Sequence, residues 1–178
     1  DELWVHSRWI RQLAIRGGVP RRRLRLIPLG YDPTVFRPSG PVLSLPTRKT
    51  RRFVFSGAPV LRKGIDILLR AWRQAFTRDD DVCLIVKTNP KDVFYQGIDG
   101  LARVREVAAD PEAGEIVLID RYLPADEVAG LYRSAHAAVF PYRAEGFGMA
   151  MLEAMACGCP LVVPRFGPCL DYCDARSA

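Results

Sequence analysis

Five short runs of apolar residues, separated by helical segments, are the feature that most constrains how this chain can fold. Each run is apolar throughout rather than alternating, and the runs lie at 53–55, 82–86, 116–119, 137–140 and 161–163. The segments between them predict helices over 64–76, 98–109, 125–135 and 147–157. Strands that are apolar on both faces and alternate with helices are typical of a parallel sheet covered by helices on both sides. The sequence therefore predicts an α/β fold with a doubly wound, Rossmann-like parallel sheet.

The usual order of five such strands, 3-2-1-4-5, predicts where a ligand would bind. In this order the chain reverses direction between the first and fourth strands, and a crevice opens at the carboxyl ends of those strands. The loops that leave these two strands are 56–63 and 142–148, and they are the two unusual loops of the sequence. The unusual loop sequences and the expected strand order thus indicate the same ligand site.

The residues before the sheet predict a short helix and a short strand, followed by a linker. An amphipathic pattern over 7–17 predicts a helix, with Ser7 as its N-cap and Gly17 at its end, and a short strand is expected over 24–28. We expect this part to pack apart from the sheet. Because the chain begins without methionine and ends soon after the fifth strand, we also expect it to be part of a longer protein. The predicted boundaries are 1–36, a linker rich in proline, glycine and basic residues over 37–51, and a sheet domain over 52–178.

The composition is that of a globular protein with an excess of arginine. Apolar residues make up 49% of the 178 residues, the net charge is +6, and 22 of the 26 basic residues are arginine. The densest basic runs are 21–25 and 48–52. Such runs indicate a solvated surface, and an anionic membrane surface or an acidic acceptor is the alternative. No aromatic residues interleave with them, so nucleic acid is not expected as a partner.

The cysteine count and the hydropathy indicate the compartment. Five cysteines without a secretory signal favour reduced thiols in a cytoplasmic protein, with peripheral membrane contact left open. No apolar run approaches the roughly 20 residues that span a bilayer. Zinc is an alternative role for four of these cysteines, although a C-x-C pair is not the usual ligand spacing. These four are Cys157, Cys159, Cys169 and Cys173.

The loop Gly146-Phe147-Gly148 has the composition of an anion-binding turn. Its glycines allow close approach of a ligand to the backbone, and the next helix begins there with free N–H groups. A tight structural turn is the alternative interpretation. Neither of two common nucleotide motifs fits: this loop lacks the third glycine of the dinucleotide fingerprint, and the stretch 57–64 lacks the GK[ST] of a P-loop.

Of two carboxylates in this region, Glu153 lies in the middle of an otherwise apolar helical segment and Glu145 lies in the loop before it. Burial of an unpartnered carboxylate is costly, so Glu153 must pair with a cation or bind a ligand. Two helical turns separate the two glutamates, and both can border one crevice. Lys63, with Arg62 beside it, reaches this crevice from the other loop with the charge that a diphosphate needs.

The stretch E-G-F-G-M-x-x-x-E over 145–153, continued as AMACGCPLVV, resembles the E-x7-E signature of retaining glycosyltransferases with the GT-B fold, family 4 (group 1). Further similar segments occur in the family's order, and the resemblance covers nearly the whole chain. It implies an incomplete GT-B C-terminal domain, preceded by the end of the N-terminal acceptor domain. These further segments are SRWI (7–10), GVP (18–20), IPLGYD (27–32), KGIDILL (63–69) and YRSA (132–135) with FP (140–141).

The resemblance also implies roles for individual residues. Glu145 matches the glutamate that contacts the transferred sugar and supports charge at the reacting centre, and Lys63 matches the lysine that neutralises the diphosphate. Glu153 matches the glutamate that binds ribose hydroxyls. The substrate would be a nucleoside diphosphate sugar, with no cofactor and no metal required. The donor-binding set is Gly57, Arg62, Lys63, Gly146, Phe147, Gly148, Met149 and Glu153, and the catalytic pair is Glu145 and Lys63.

Three departures from the family pattern leave other functions open. Gly57-Ala58 stands where the family commonly has an arginine, so Arg62 or another segment must supply the second cation. Leu29 replaces an asparagine and Ala150 a proline. Alternatives to a transferase are a non-catalytic nucleotide-sugar-binding module and a sugar-nucleotide epimerase. The sugar, the base and the acceptor, whether glycan, lipid or protein, are not predicted.

Overall fold

The computed structural model describes residues 1–89, 94–95 and 98–174 of the chain. Its strands are β1 Leu3–Val5, β2 Leu24–Leu26, β3 Arg51–Ser56, β4 Val82–Lys87, β5 Phe94–Tyr95, β6 Ile98–Asp99, β7 Glu115–Ile119, β8 Ala137–Val139 and β9 Leu161–Val162. Its α-helices are α1 Arg8–Arg16, α2 Ile65–Ala75, α3 Gly100–Ala109, α4 Ala125–Ser134 and α5 Met149–Ala156. Short 3-10 turns occur at Arg21–Arg23, Leu61–Lys63 and Pro168–Asp171. Each predicted helix and strand is present, with ends that differ by one or two residues.

The main sheet has five parallel strands in the order β7-β4-β3-β8-β9. When only the strands of this sheet are numbered along the chain, the order is 3-2-1-4-5, so the predicted topology is confirmed. The central strand β3 pairs with β4 on one side, where Phe53 is opposite Leu84, and with β8 on the other, where Phe53 is opposite Ala137. Since β3 and β8 are adjacent and parallel, the loops that follow them lie at the same edge of the sheet.

Alternate residues of the central strands fill two separate cores, one on each face of the sheet. On β4, Cys83 and Ile85 belong to the core under α4 and α5, whereas Leu84 and Val86 belong to the core under α2 and α3. Every residue of β4 is buried. This two-sided burial is the reason that the strand sequences are apolar throughout, because a strand with one solvated face would alternate with polar residues.

The N-terminal segment forms its own small sheet but contacts the main domain. Strands β1 and β2 pair in parallel, with Leu3 opposite Leu24, and no bond joins them to the five-stranded sheet in the described part of the chain. Helix α1 begins after Ser7, whose side chain accepts the N–H of Ile10 as predicted for an N-cap. The expectation that residues 1–36 pack apart is wrong at Phe36, which is buried in the core beneath α4 and α5. Burial of its aromatic ring in this core removes apolar surface from water and so stabilises the contact.

The predicted linker lies along α4. The Leu43 N–H donates to the Gly130 carbonyl over 3.0 Å, and Arg133 Nε donates to the Pro41 carbonyl over 2.8 Å. A side chain at Gly130 would meet the Leu43 nitrogen at 3.1 Å, so this glycine permits the close approach. The segment therefore has linker composition but a fixed path. Its last residue, Arg51, already belongs to β3, while the domain boundaries themselves stay a prediction.

Candidate functional site

The loops after β3 and β8 enclose one side of a cleft of about 660 Å³. Seven of the eight residues predicted to bind a donor line it, and Arg62 does not. Glu145, the other predicted catalytic residue, lines it as well. The N-terminal segment supplies the facing wall, which sequence reasoning missed because nothing in its pattern shows where it packs. The residues of that wall are Trp4, Val5, His6, Ile10 and Leu29.

The two loops are joined by backbone and side-chain contacts. The Arg143 N–H donates to the Arg62 carbonyl over 2.9 Å, and the Arg143 guanidinium donates to the Leu61 carbonyl over 2.7 Å. The same guanidinium binds both oxygens of Asp66 at 2.7 and 2.8 Å. This bidentate pair, which the sequence did not indicate, holds the start of α2 against the loop after β8. The hydrogen bond from Arg143 also holds the pKa of the Asp66 carboxyl below its usual value.

Lys63 and Glu145 meet across the loops as a salt bridge between Nζ and Oε2. The Gly146 N–H donates to Oε1 of Glu145 over 3.0 Å. Burial alone would raise the pKa of Glu145, but the hydrogen bond and charge of Lys63 outweigh it and hold the pKa below its usual value. Glu145 is thus ionised at neutral pH, and the ion pair lies in the wall of the cleft.

Arg62 lies at the edge of this pair. Its Nη1 atom is 3.8 Å from Oε2 of Glu145 and donates to the Ala144 carbonyl over 3.0 Å. Its side chain is 41% exposed, against 24% for Lys63. Arg143 is the other nearby arginine, and its guanidinium is taken up by Asp66. Of these three cations, Lys63 alone lines the cleft.

The turn 146–148 presents unpaired backbone N–H groups. Gly148 has a φ of +91°, a conformation that favours glycine, and α5 begins directly after it. Within the described part of the chain, no acceptor is present for the N–H groups of residues 147, 148, 149 and 150. The Phe147 side chain is buried, so this residue can offer a ligand its backbone only. Free N–H groups at a helix start are suited to an anion.

Glu153 lies on α5 and is half-buried at the cleft. Among the described residues its carboxylate has neither an ion pair nor a hydrogen-bond partner, although its backbone carbonyl accepts the Cys157 N–H. Burial raises the pKa of its carboxyl. Burial raises the pKa of the nearby Tyr132 phenol, and the charge of Glu153 adds to this rise. The structural ion pair that the sequence left open is therefore absent from the described part of the protein.

None of the five cysteines, which all lie in the described part of the chain, lines the cleft, and all of them are free. Burial raises the pKa of Cys83 to about 11 and that of Cys159 to about 12, so both are protonated thiols at neutral pH. Among the described residues, no group of three or more His, Cys, Asp or Glu side chains could hold a metal ion. The described helices include none that is both long and apolar enough to cross a membrane.

Comparison with known proteins identifies relatives along most of the chain. The D-inositol 3-phosphate glycosyltransferase of Acidothermus cellulolyticus is 29% identical over 176 residues, which are 92% of this chain and 37% of that protein. A D-inositol 3-phosphate glycosyltransferase 1 of Catenulispora acidiphila is 34% identical, over 87% of this chain and 38% of that protein. The chain thus spans less than two fifths of the length of either relative.

Solved structures share the fold. Sucrose-phosphate synthase from Thermosynechococcus elongatus aligns with a TM-score of 0.69 and 26% identity, over 92% of this chain and 40% of that one. The Anabaena protein HepE, in complex with UDP-glucose, aligns with a TM-score of 0.76 and 16% identity, over 97% of this chain and 47% of that one. The profile of the family described as "Glycosyl transferases group 1" matches residues 50–175, well over half of the chain. On this match, the chain belongs to the group 1 glycosyl transferases.

Proposed function

We propose that this chain is the donor-binding part of a retaining glycosyltransferase, which moves a sugar from a nucleoside diphosphate sugar to an acceptor. The observation that carries the proposal is the arrangement along one cleft: Lys63 paired with Glu145, free N–H groups at 147–150, and an unpartnered Glu153. Glu145 suits the sugar, Lys63 and the free N–H groups suit the diphosphate, and Glu153 suits the ribose. Membership of the group 1 family supports it.

In this proposal the diphosphate lies against Lys63 and the start of α5. As the bond from the anomeric carbon to the diphosphate oxygen breaks, negative charge grows on that oxygen, and Lys63 and the free N–H groups are placed to stabilise it. Electrostatic stabilisation of this kind is typical of group transfer without a metal, and we propose that none is required. The residues that would bind the donor are those predicted from the sequence, with Arg62 in a peripheral role.

Glu145 has a second role in the proposal. In the free protein its carboxylate neutralises Lys63. When a diphosphate shares the lysine, the negative charge of Glu145 is left facing the sugar, where positive charge develops at the anomeric carbon. The acceptor oxygen then bonds to that carbon and gives its proton to the departing diphosphate. The facing wall of Trp4, His6 and Leu29 is the side from which an acceptor would approach.

The test uses the full-length protein that contains this chain, assayed against a panel of nucleoside diphosphate sugars with candidate acceptors. Formation of a glycoside whose anomeric proton shows the configuration of the donor would support the proposal. Donor binding without transfer to any acceptor would favour the alternative of a binding module. Interconversion of the sugar without an acceptor would favour the weaker alternative, an epimerase.

We infer that the protein acts in the cytoplasm, where its free cysteines stay reduced. The exposed arginines at 21–23 leave peripheral contact with an anionic membrane as a further part of the proposal. Sedimentation with vesicles that contain or lack an anionic lipid tests this contact, and equal binding to both would refute it.

A further inference from the structure

Three consecutive carbonyl groups of the turn 146–148 are held by hydroxyl groups that lie outside the turn. Ser7 Oγ donates to the Gly146 carbonyl over 2.7 Å. The Tyr172 hydroxyl lies 2.7 Å from the Phe147 carbonyl and 3.2 Å from the Gly148 carbonyl, and donates to both. The Gly148 carbonyl also accepts the N–H groups of Met151 and Leu152 over 3.0 and 3.1 Å, so its direction is already set by α5.

The contacts at the Gly146 and Phe147 carbonyls also set the direction of an N–H group. In a trans peptide the C=O of one residue and the N–H of the next lie in one plane and point in opposite directions. The hydroxyl groups on the carbonyls of residues 146 and 147 therefore fix the N–H groups of residues 147 and 148, whereas α5 fixes that of residue 149. The N–H groups of residues 147 and 148 are two of those that have no acceptor in the described part of the chain.

From this arrangement we infer that Tyr172 and Ser7 are positioning residues, which aim two backbone N–H groups at the diphosphate of the donor. The inference rests on the proposed function, since it names how the same cleft would bind a nucleoside diphosphate. Neither residue needs to touch the ligand. Each one removes the freedom of a peptide plane that would otherwise have to be ordered when the ligand binds.

Tyr172 is packed directly against the turn. The centroids of the Tyr172 and Phe147 rings are 5.5 Å apart. A Cβ atom added at Gly148 would be 2.7 Å from the Tyr172 hydroxyl oxygen. Burial raises the pKa of this phenol, so it keeps the proton that it donates. A residue larger than glycine at 148 would both strain the backbone and push this hydroxyl away.

Ser7 brings the N-terminal segment into the same arrangement. Its side chain is fully buried, accepts the Ile10 N–H over 3.1 Å and donates to Gly146. The next N–H, that of Arg8, donates to Asp171 over 2.7 Å, one residue before Tyr172. The two positioning hydroxyls therefore belong to segments that are bonded to each other.

The test compares a ligand that has the diphosphate with one that lacks it. Uridine and guanosine diphosphates are titrated into the full-length protein by calorimetry, and the corresponding nucleosides by NMR. For Tyr172→Phe and for Ser7→Ala we expect the diphosphate Kd to rise about tenfold while the nucleoside Kd stays within twofold. Ser7→Thr keeps the hydroxyl, so it should stay close to wild type.

Matched controls separate this role from loss of stability. Tyr122→Phe removes the hydroxyl of a tyrosine that is 73% exposed, and Ser134→Ala removes a buried hydroxyl that donates to Leu131 away from the cleft. Neither control should change the diphosphate Kd by more than twofold. A parallel rise in both Kd values for Tyr172→Phe and Ser7→Ala, or no rise at all, would overturn the inference alone. A wild-type protein that binds no nucleoside diphosphate would overturn the proposed function and this inference with it.

Discussion

Replacement of Glu153 by glutamine separates a ligand-binding carboxylate from a structural one. In the described part of the chain this half-buried carboxylate has no cation beside it, and burial raises its pKa. Glutamine keeps the shape and one oxygen but removes the charge. We therefore expect Glu153→Gln to leave the stability of the free protein unchanged or raise it, and to weaken nucleotide binding.

The size of the binding effect follows from the bonds that the charge would make. A hydrogen bond to an ionised group contributes about 1.5–3 kcal/mol, against about 0.5–1.5 kcal/mol for a neutral one. If Glu153 binds two ribose hydroxyls, its replacement by glutamine would thus cost roughly 2–3 kcal/mol of binding free energy. This loss corresponds to a rise of roughly 30- to 150-fold in Kd.

If Glu153 instead forms a structural ion pair, Glu153→Gln should lower the stability of the free protein. Removal of one partner of a buried ion pair costs about 3–5 kcal/mol. For a domain of this size about 1 kcal/mol moves Tm by roughly 2–4 °C, so a structural pair predicts a fall of roughly 6–20 °C. In the full-length protein, the thermal unfolding transition to follow is the one whose Tm shifts when nucleotide is added.

The raised pKa of Glu153 adds a test by pH. In the folded state the Glu153 carboxyl stays protonated to a higher pH than in the unfolded state. The contribution of Glu153 to stability therefore falls as the pH rises from the usual pKa of this group through the raised one. Nucleotide affinity should rise over the same window, because ionised Glu153 is the better acceptor. In Glu153→Gln, stability and nucleotide affinity should both depend less on pH over this window.

The measurement is calorimetry with a nucleoside diphosphate beside thermal unfolding of the free protein, with Glu106→Gln as the control. Glu106 is an exposed carboxylate on α3, outside the cleft, and its replacement should change neither quantity. A Tm that falls by 6 °C or more in Glu153→Gln, with Kd within twofold of wild type, would refute the reasoning.

Three further predictions test the rest of the cleft. Lys63→Ala should raise the Kd of a nucleoside diphosphate by roughly 10- to 150-fold and slow transfer, whereas Arg62→Ala should have a smaller effect; calorimetry that shows the reverse order would move the cation assignment to Arg62. Asp66→Asn should raise this Kd about three- to tenfold, because Arg143 loses its bidentate partner and the two loops separate; unchanged affinity would show that the pair does not position the loops. Chain 1–178 alone should bind a nucleoside diphosphate, gain thermal stability from it and transfer no sugar; multiple turnovers by this chain in a transfer assay would contradict the domain assignment.

The strand order and the position of the cleft were predictable from the sequence because they follow from local patterns. Apolar runs such as 82–86 can be buried only between two layers of helices, and a doubly wound order then brings the loops after β3 and β8 to one edge. Ser7 was predictable as an N-cap for the same reason, since the cap is an interaction between residues three apart.

The contacts between distant segments could not be predicted in this way. No local rule relates Tyr172 to the carbonyls of 147 and 148, or Arg143 to Asp66, because each side chain would suit a solvated surface equally well. The burial of Phe36 in the main core was mispredicted since the residues that follow it, from Arg37 onward, have the composition of a linker.

Glu153 is the clearest example of what the sequence determined and what the tertiary structure decided. The sequence by itself determined that a carboxylate would stand in an apolar helix at the end of a β-strand crevice, and hence that it must have a partner or a ligand. Only the tertiary structure decided between these two, because the presence of a cation beside a side chain depends on which distant segments pack there. In the described part of the chain none does, and the carboxylate lies open to the cleft.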